Sequence, residues 1–104
     1  MVLHVQKWNI HPDKMEAYQQ WVPTAIKRTM GAPGVVEFRG YRPATGSHQV
    51  VITYEFTDMA AWAEWQCLPD VQAVQNELHA LATEIETEVW GPSPLVPNPI
   101  RPQG

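Results

Sequence analysis

A single cysteine, Cys67, is the only thiol in this chain, so no disulfide can close within it. That usage fits a reducing compartment, and a cytoplasmic location is the expectation. Basic charge is also scarce. Seven Lys and Arg stand against eleven Asp and Glu, leaving a net charge of −4. Nothing here makes the basic footprint that nucleic acid or an anionic membrane surface would need. The only adjacent basic pair, Lys27-Arg28, fits a helix surface. No apolar run approaches the roughly 20 residues of a membrane span. The opening residues lack the charged and apolar regions of a signal peptide. Missing too are GxGxxG, a P-loop, HExxH and a serine nucleophile elbow. His4, His11, His48 and His79 have no metal-ligand spacing, so no metal is expected. Solenoid-length repeats are absent as well.

What the chain does have is aromatic bulk. Five Trp stand among 104 residues, and a 44% hydrophobic content excludes a disordered chain. One domain of modest core is the natural size. Residues 2–10 mix β-branched, aromatic and polar types and predict a strand. His11-Pro12-Asp13 starts a helix, with Pro12 at the first helical position. Its apolar stripe runs Met15, Tyr18, Val22, Ala25, Ile26 and Thr29. Pro23 inside that stripe predicts a kink near Gln19, and Gly31-Ala32-Pro33-Gly34 ends the helix. Strands follow at 35–42 and 48–56, joined by the turn around Pro43 to Ser47. Asp58 is placed to cap a helix from Met59. Pro69 breaks that helix, and Asp70 is placed to cap the next. There Val71, Val74, Leu78, Leu81 and Ile85 keep helical spacing, with exit near Thr83 and a last strand at about 84–90.

Residues 1–91 thus form one domain. Residues 92–104 hold five of the ten prolines and predict an extended tail. The order βαββαβ, with right-handed crossovers, gives an α+β ferredoxin-like fold: a four-stranded antiparallel sheet with helices on one face. The other face would expose Leu3, Val5, Val51 and Thr53, so a second copy is expected to cover it.

The residues Ile10-His11-Pro12-Asp13-Lys14, Pro33-Gly34-Val35-Val36-Glu37-Phe38 and Tyr54-Glu55-Phe56-Thr57-Asp58, with Ala61, Trp65 and Pro69 following, carry a resemblance. Over about residues 2–90 the chain resembles the dimeric α/β-barrel superfamily, in particular the antibiotic-biosynthesis-monooxygenase-like (YgiN-like) small proteins. The resemblance implies a homodimer whose sheets close face to face into a barrel, and a ligand pocket between each sheet and its own helices. Many relatives carry His where Trp65 stands, so no imidazole role transfers to that position. Haem-degrading relatives use an Asn on the first strand, a Trp on the second helix and a His further along it. Trp65 matches the Trp, while Gln6 and Gln75 stand near the other two positions, with His79 one turn further on.

If the even residues of strands one and three face the helices, then His4, Gln6, Trp8, His48, Ile52 and Tyr54 share a wall. Trp62 or Trp65 would close it, making an aromatic-lined cleft for a flat ligand. His4 or His48 is the base by residue type. Tyr54 would hydrogen-bond a substrate oxygen, and Arg39 or Arg42 would stabilise an anion. Each also has a structural reading: His4 a core or edge histidine, His48 a turn residue, and Trp8, Trp62 and Trp65 core packing. The leading expectation is a cofactor-independent monooxygenase, or related enzyme, acting on an aromatic or polycyclic molecule in that Trp-lined pocket. The alternatives are a non-catalytic, stress-response-like barrel that binds a small ligand, and a haem-binding relative. Expected partners are a second copy and a small aromatic molecule, with neither nucleic acid nor membrane.

Overall fold

The computed structural model describes residues 1–103. Its elements are β1 (Val2–Ile10), α1 (Met15–Met30), β2 (Val35–Tyr41), β3 (Val50–Phe56), α2 (Met59–Gln66), α3 (Pro69–Leu81) and β4 (Ala82–Trp90). The four strands form one antiparallel sheet in the order β2-β3-β1-β4. This is the expected ferredoxin-like arrangement, with β1 central.

Local chemistry explains most boundaries. Pro12 opens a short 3₁₀ turn, Pro12–Lys14, whose first free amide, Asp13 N–H, donates to His11 Nδ1 at 3.2 Å. From there α1 runs to Met30 as one helix with Pro23 inside it. Asp58 caps α2, accepting from the Ala61 amide at 2.8 Å. The expected cap of α3 is corrected: Leu68 holds that position without a side-chain bond, Pro69 is the first helical residue, and Asp70 lies in the first turn. A carboxylate there favours the helix dipole without capping. Between α1 and α3, Glu77 accepts from Arg28 at 2.9 and 3.0 Å and from Trp21 Nε1 at 2.8 Å. The Trp21 and Arg28 bonds hold the Glu77 carboxyl below its ordinary range.

The last strand corrects the expected helix end. Helix α3 stops at Leu81, and Ile85 belongs to β4. Across the sheet Lys7 pairs with Glu86 and Asn9 with Thr83, so two residues of β4 oppose one of β1. Glu84 takes the left-handed conformation at φ 53° that this bulge requires. The extra residue resets the inward alternation, so Ala82 and Ile85 both pack against the Trp8 cluster. Apolar residues three apart therefore mimic a helical stripe.

Even residues of β1 face the helices, where Val2, His4, Gln6 and Trp8 are all buried. The core has two halves. Trp8, Tyr18, Leu78 and Ala82 fill one; Tyr54, Phe56, Trp65 and Val71 fill the other; Ile52 packs against both. On the opposite face Leu3, Arg39, Val51, Thr53 and Trp90 line a concavity of about 450 Å³. Val5, expected to be exposed there, is only 1% exposed. It lies between Thr53 and Glu88, and the Lys7–Glu88 ion pair at 3.4 Å forms on its cross-strand partner.

Beyond Trp90 the described tail has neither helix nor strand. Pro97, Asn98 and Pro99 share a concavity with Met1, Leu3 and Trp90 at the end of the sheet. Gly104, the last residue of the expected tail, lies outside the described residues.

Candidate functional site

The site is assembled at one end of β1, under α2 and α3. His4 is 4% exposed, and its ring lies within 5.2 Å of Trp65, 6.0 Å of Tyr54 and 6.3 Å of Trp62, centroid to centroid. Trp62 Nε1 donates to His4 Nδ1 at 3.0 Å. An indole N–H can only donate, so Nδ1 carries the lone pair and the neutral ring keeps its hydrogen on Nε2. That second nitrogen is buried without a partner. Among the described residues it is the one buried side-chain polar atom left so, and a buried polar group without a partner calls for an explanation.

Burial pushes the His4 pKa below the ordinary histidine value of 6.5, while the nearby Gln6 amide acts the other way. Folding therefore favours neutral His4. The unfolded chain binds the extra proton first as pH falls, so stability is full above about pH 6.5 and is lost below it. We expect Tm to fall between pH 7.5 and 5.5 and the fall to be shallower in His4→Gln, as thermal unfolding at both pH values would measure. Equal slopes would contradict a neutral buried His4.

The cavity beside this ring has a volume of about 280 Å³ and lies between β1, β4, α2 and α3. Its lining includes His4, Gln6, Trp65, Gln75, His79 and Thr87. Gln6 and Gln75 bond reciprocally, at 2.7 and 3.1 Å, and Gln6 also donates to Thr87 Oγ1 at 3.1 Å. This amide pair forms a satisfied polar floor, which leaves the His4 Nε2–H as the unspent donor.

The other expected site residues are distributed as follows. Tyr54 stands behind Trp65, its hydroxyl 2.9 Å from Thr29 Oγ1. Thr29 Oγ1 lies 3.1 Å from the Ala25 and Ile26 carbonyls, so its hydrogen goes there and Tyr54 donates to it. Burial raises the Tyr54 pKa, with the Thr29 bond opposing. Trp65 is 1% exposed and donates to the Thr29 carbonyl at 3.3 Å. Trp62 reaches His4 but does not line the cavity. Trp8 lies in the other half of the core, donating to the Tyr18 hydroxyl at 3.2 Å.

His48 precedes β3, and its Nε2 lies 3.1 Å from the Glu84 carbonyl and 3.7 Å from the Glu86 carboxylate. It contacts the bulge and lies apart from His4. Arg39 is on the uncovered sheet face, and Arg42 lines a separate hollow with His48. Gln75, His79 and Thr87 join the site: the first two had been picked out only by the likeness to haem-degrading relatives, and Thr87 not at all. Their signal was available in part: Val71, Gln75 and His79 are spaced four apart and share one face of α3. Thr87 was hidden by the bulge. Among the described residues no three His, Cys, Asp or Glu come close enough to hold a metal.

The family model for antibiotic biosynthesis monooxygenases matches residues 1–77. The chain belongs to that family. No curated protein matches it. Among solved structures, a ferredoxin-like DABB-family protein from Mesorhizobium loti superposes with a TM-score of 0.78 at 19% identity, covering 88% of this chain and 96% of the other. A dimeric ferredoxin-like protein of unknown function from Thermobifida fusca gives 0.72 at 13%, covering 86% and 88%. SnoaB, a cofactor-independent oxygenase from Streptomyces nogalater, gives 0.70 at 20%, covering 86% and 89%. For this member of the antibiotic biosynthesis monooxygenase family, these identities establish a shared fold. None of its described helices is long and apolar enough to cross a membrane.

Proposed function

We propose that this protein is a cofactor-independent monooxygenase that oxidises a small hydroxylated aromatic molecule held between β1, β4 and α3. The observation that carries the reading is the buried, unpartnered Nε2–H of His4 beside a cavity of about 280 Å³. A substrate oxygen in that cavity would accept this hydrogen bond, and the bond would strengthen as the oxygen becomes anionic. The likeness in fold to SnoaB supports the reaction class.

The cavity volume lies near the bottom of the usual range for small-molecule sites, about 300–1,000 Å³. That size suits one or two rings better than a polycyclic skeleton. The amide-rich lining favours a ligand with several oxygens. In the reaction an ionised phenol or enol supplies electrons to O₂. For a two-ring hydroquinone, one ring C–H becomes C–OH and the two phenolic C–OH groups become carbonyls: one oxygen atom enters the product and the other leaves as water with the two phenolic hydrogens. The tautomer fixed by Trp62 makes His4 a donor, so the role proposed for it is stabilisation of the substrate anion.

Oxygen-electrode assays with naphthohydroquinones and anthrones test the reading. Uptake equimolar with product and needing no added flavin or metal is expected; no uptake with any of them overturns it. A haem titration should give no Soret band, and a strong band would transfer the site to haem.

The protein is also proposed to work as a homodimer through the uncovered sheet face, with Leu3, Val51 and Trp90 in the interface. Light scattering should give twice the chain mass for the wild type and a monomer for Val51→Lys with Thr53→Lys. A monomeric wild type would contradict the interface.

A further inference from the structure

His79 lines the same cavity as His4, from the last turn of α3. Its Nδ1 lies 2.8 Å from the Gln75 backbone carbonyl. A carbonyl oxygen has no hydrogen to give, so the hydrogen of that bond is on Nδ1 and the neutral ring keeps its lone pair on Nε2. The two histidines of the cavity are therefore in opposite states. Trp62 makes His4 present an Nε2–H, and Gln75 makes His79 present an Nε2 lone pair. Such a divergent pair is what acid–base chemistry on one ligand needs: a donor for the oxygen that becomes charged, and an acceptor for the proton that leaves. Location fits as well. His4 is buried, where a hydrogen bond to an anion is strongest, whereas His79 is exposed, where a captured proton can pass on to water.

We infer that His79 is the base of this site and that its ligand is a phenol or hydroquinone bound across the two rings. In the step assigned to it, the phenolic O–H breaks and the proton bonds to His79 Nε2, giving an imidazolium. The electron pair stays on the phenolate oxygen, which accepts from His4 Nε2–H. The inference rests on the cavity proposed above as the substrate site, but the step needs no oxygen.

Its test is accordingly anaerobic. 4-Nitrophenol and 4-nitrocatechol turn yellow on ionisation and are titrated with the whole protein below their own pKa, with binding followed by quenching of Trp fluorescence. The wild type should bind the probe and turn it yellow. His79→Gln should still bind it but lower the ionised fraction at least about tenfold, the equivalent of one pKa unit. Imidazole added to His79→Ala should restore the colour, which a purely structural role would not allow. Undiminished colour in His79→Gln overturns the inference, and so does failure of the wild type to bind any probe. Colour without oxygen uptake in the separate assay would uphold His79 as the base and remove the oxygenase reading.

Discussion

Replacing Trp65 by alanine is expected to cost about 3–5 kcal/mol of stability, the usual penalty for emptying a large aromatic site. Total stability for a domain of this size is on the order of 5–15 kcal/mol, so the variant should lose a large share of it, and nearly all of it at the lower end of that range. The reason is the number of partners one side chain serves. Its ring stacks within 4.7 Å of Tyr54, 5.1 Å of Phe56 and 5.2 Å of His4, and its N–H reaches the Thr29 carbonyl. Alanine leaves a void among three rings that the sheet below holds in place. Trp65→Phe keeps the ring contacts and removes the indole donor, leaving the Thr29 carbonyl with the Ala32 amide at 3.4 Å, so about 1–3 kcal/mol is expected from the lost bond and the smaller ring. Urea titration followed by far-UV circular dichroism measures both. A loss below about 1 kcal/mol for the alanine variant would mean that Trp65 is not a pillar of this half of the core.

His4→Ala is expected to leave the protein folded and to lower kcat by about 10²–10³, the cost of losing one preorganised donor to a developing oxyanion. The loss should fall on kcat more than on KM, because the bond matters most when the substrate oxygen is charged. Trp62→Phe provides the complementary experiment. It leaves the imidazole in place but frees Nδ1 to take the hydrogen, so a smaller fall in kcat is expected together with a mixture of tautomers in ¹⁵N spectra. Trp62 is thus a positioning residue. Equal kcat in His4→Ala and the wild type would remove the oxyanion role.

The fold was legible because its signals are local and redundant. Asp58 before Met59, Pro69 ending the second helix and the alternation along Val50–Phe56 each point to one solution. The misread pieces are those where a long-range partner decides. Ile85 is spaced as a helical residue, and only the pairing of β4 with β1 shows the bulge that turns it inward. Val5 has the parity of an exposed residue, but neighbours on both flanking strands cover it.

The site was legible only as a set of residues. Pattern placed His4, Gln6 and Tyr54 on one wall of the sheet, with Trp62 or Trp65 closing it from the helix. Which nitrogen of His4 holds a hydrogen depends on an indole 58 residues away. His48 and His4 are equivalent by type, and strand parity had put them together. The chain enters β3 only at Val50, however, so the alternation does not extend back to His48. His79 stood in view only as a histidine one turn beyond the position that haem-degrading relatives use. Its relevance came from the cavity that brings it together with β1.

Strand β1 has a further consequence for how this sequence can change over time. It is central in the sheet, with His4 and Gln6 projecting to the cavity side and Leu3 and Val5 to the other. One residue inserted between Gln6 and Trp8 would set the two ends of the strand out of phase, so that either Trp8 or the His4–Gln6 pair turns to the outer surface in a single event. Substitutions here can be sampled one side at a time, but insertions and deletions cannot. Length variation among descendants of this sequence should therefore accumulate after Trp90 and around Pro43 to Ser47, and spare these nine positions.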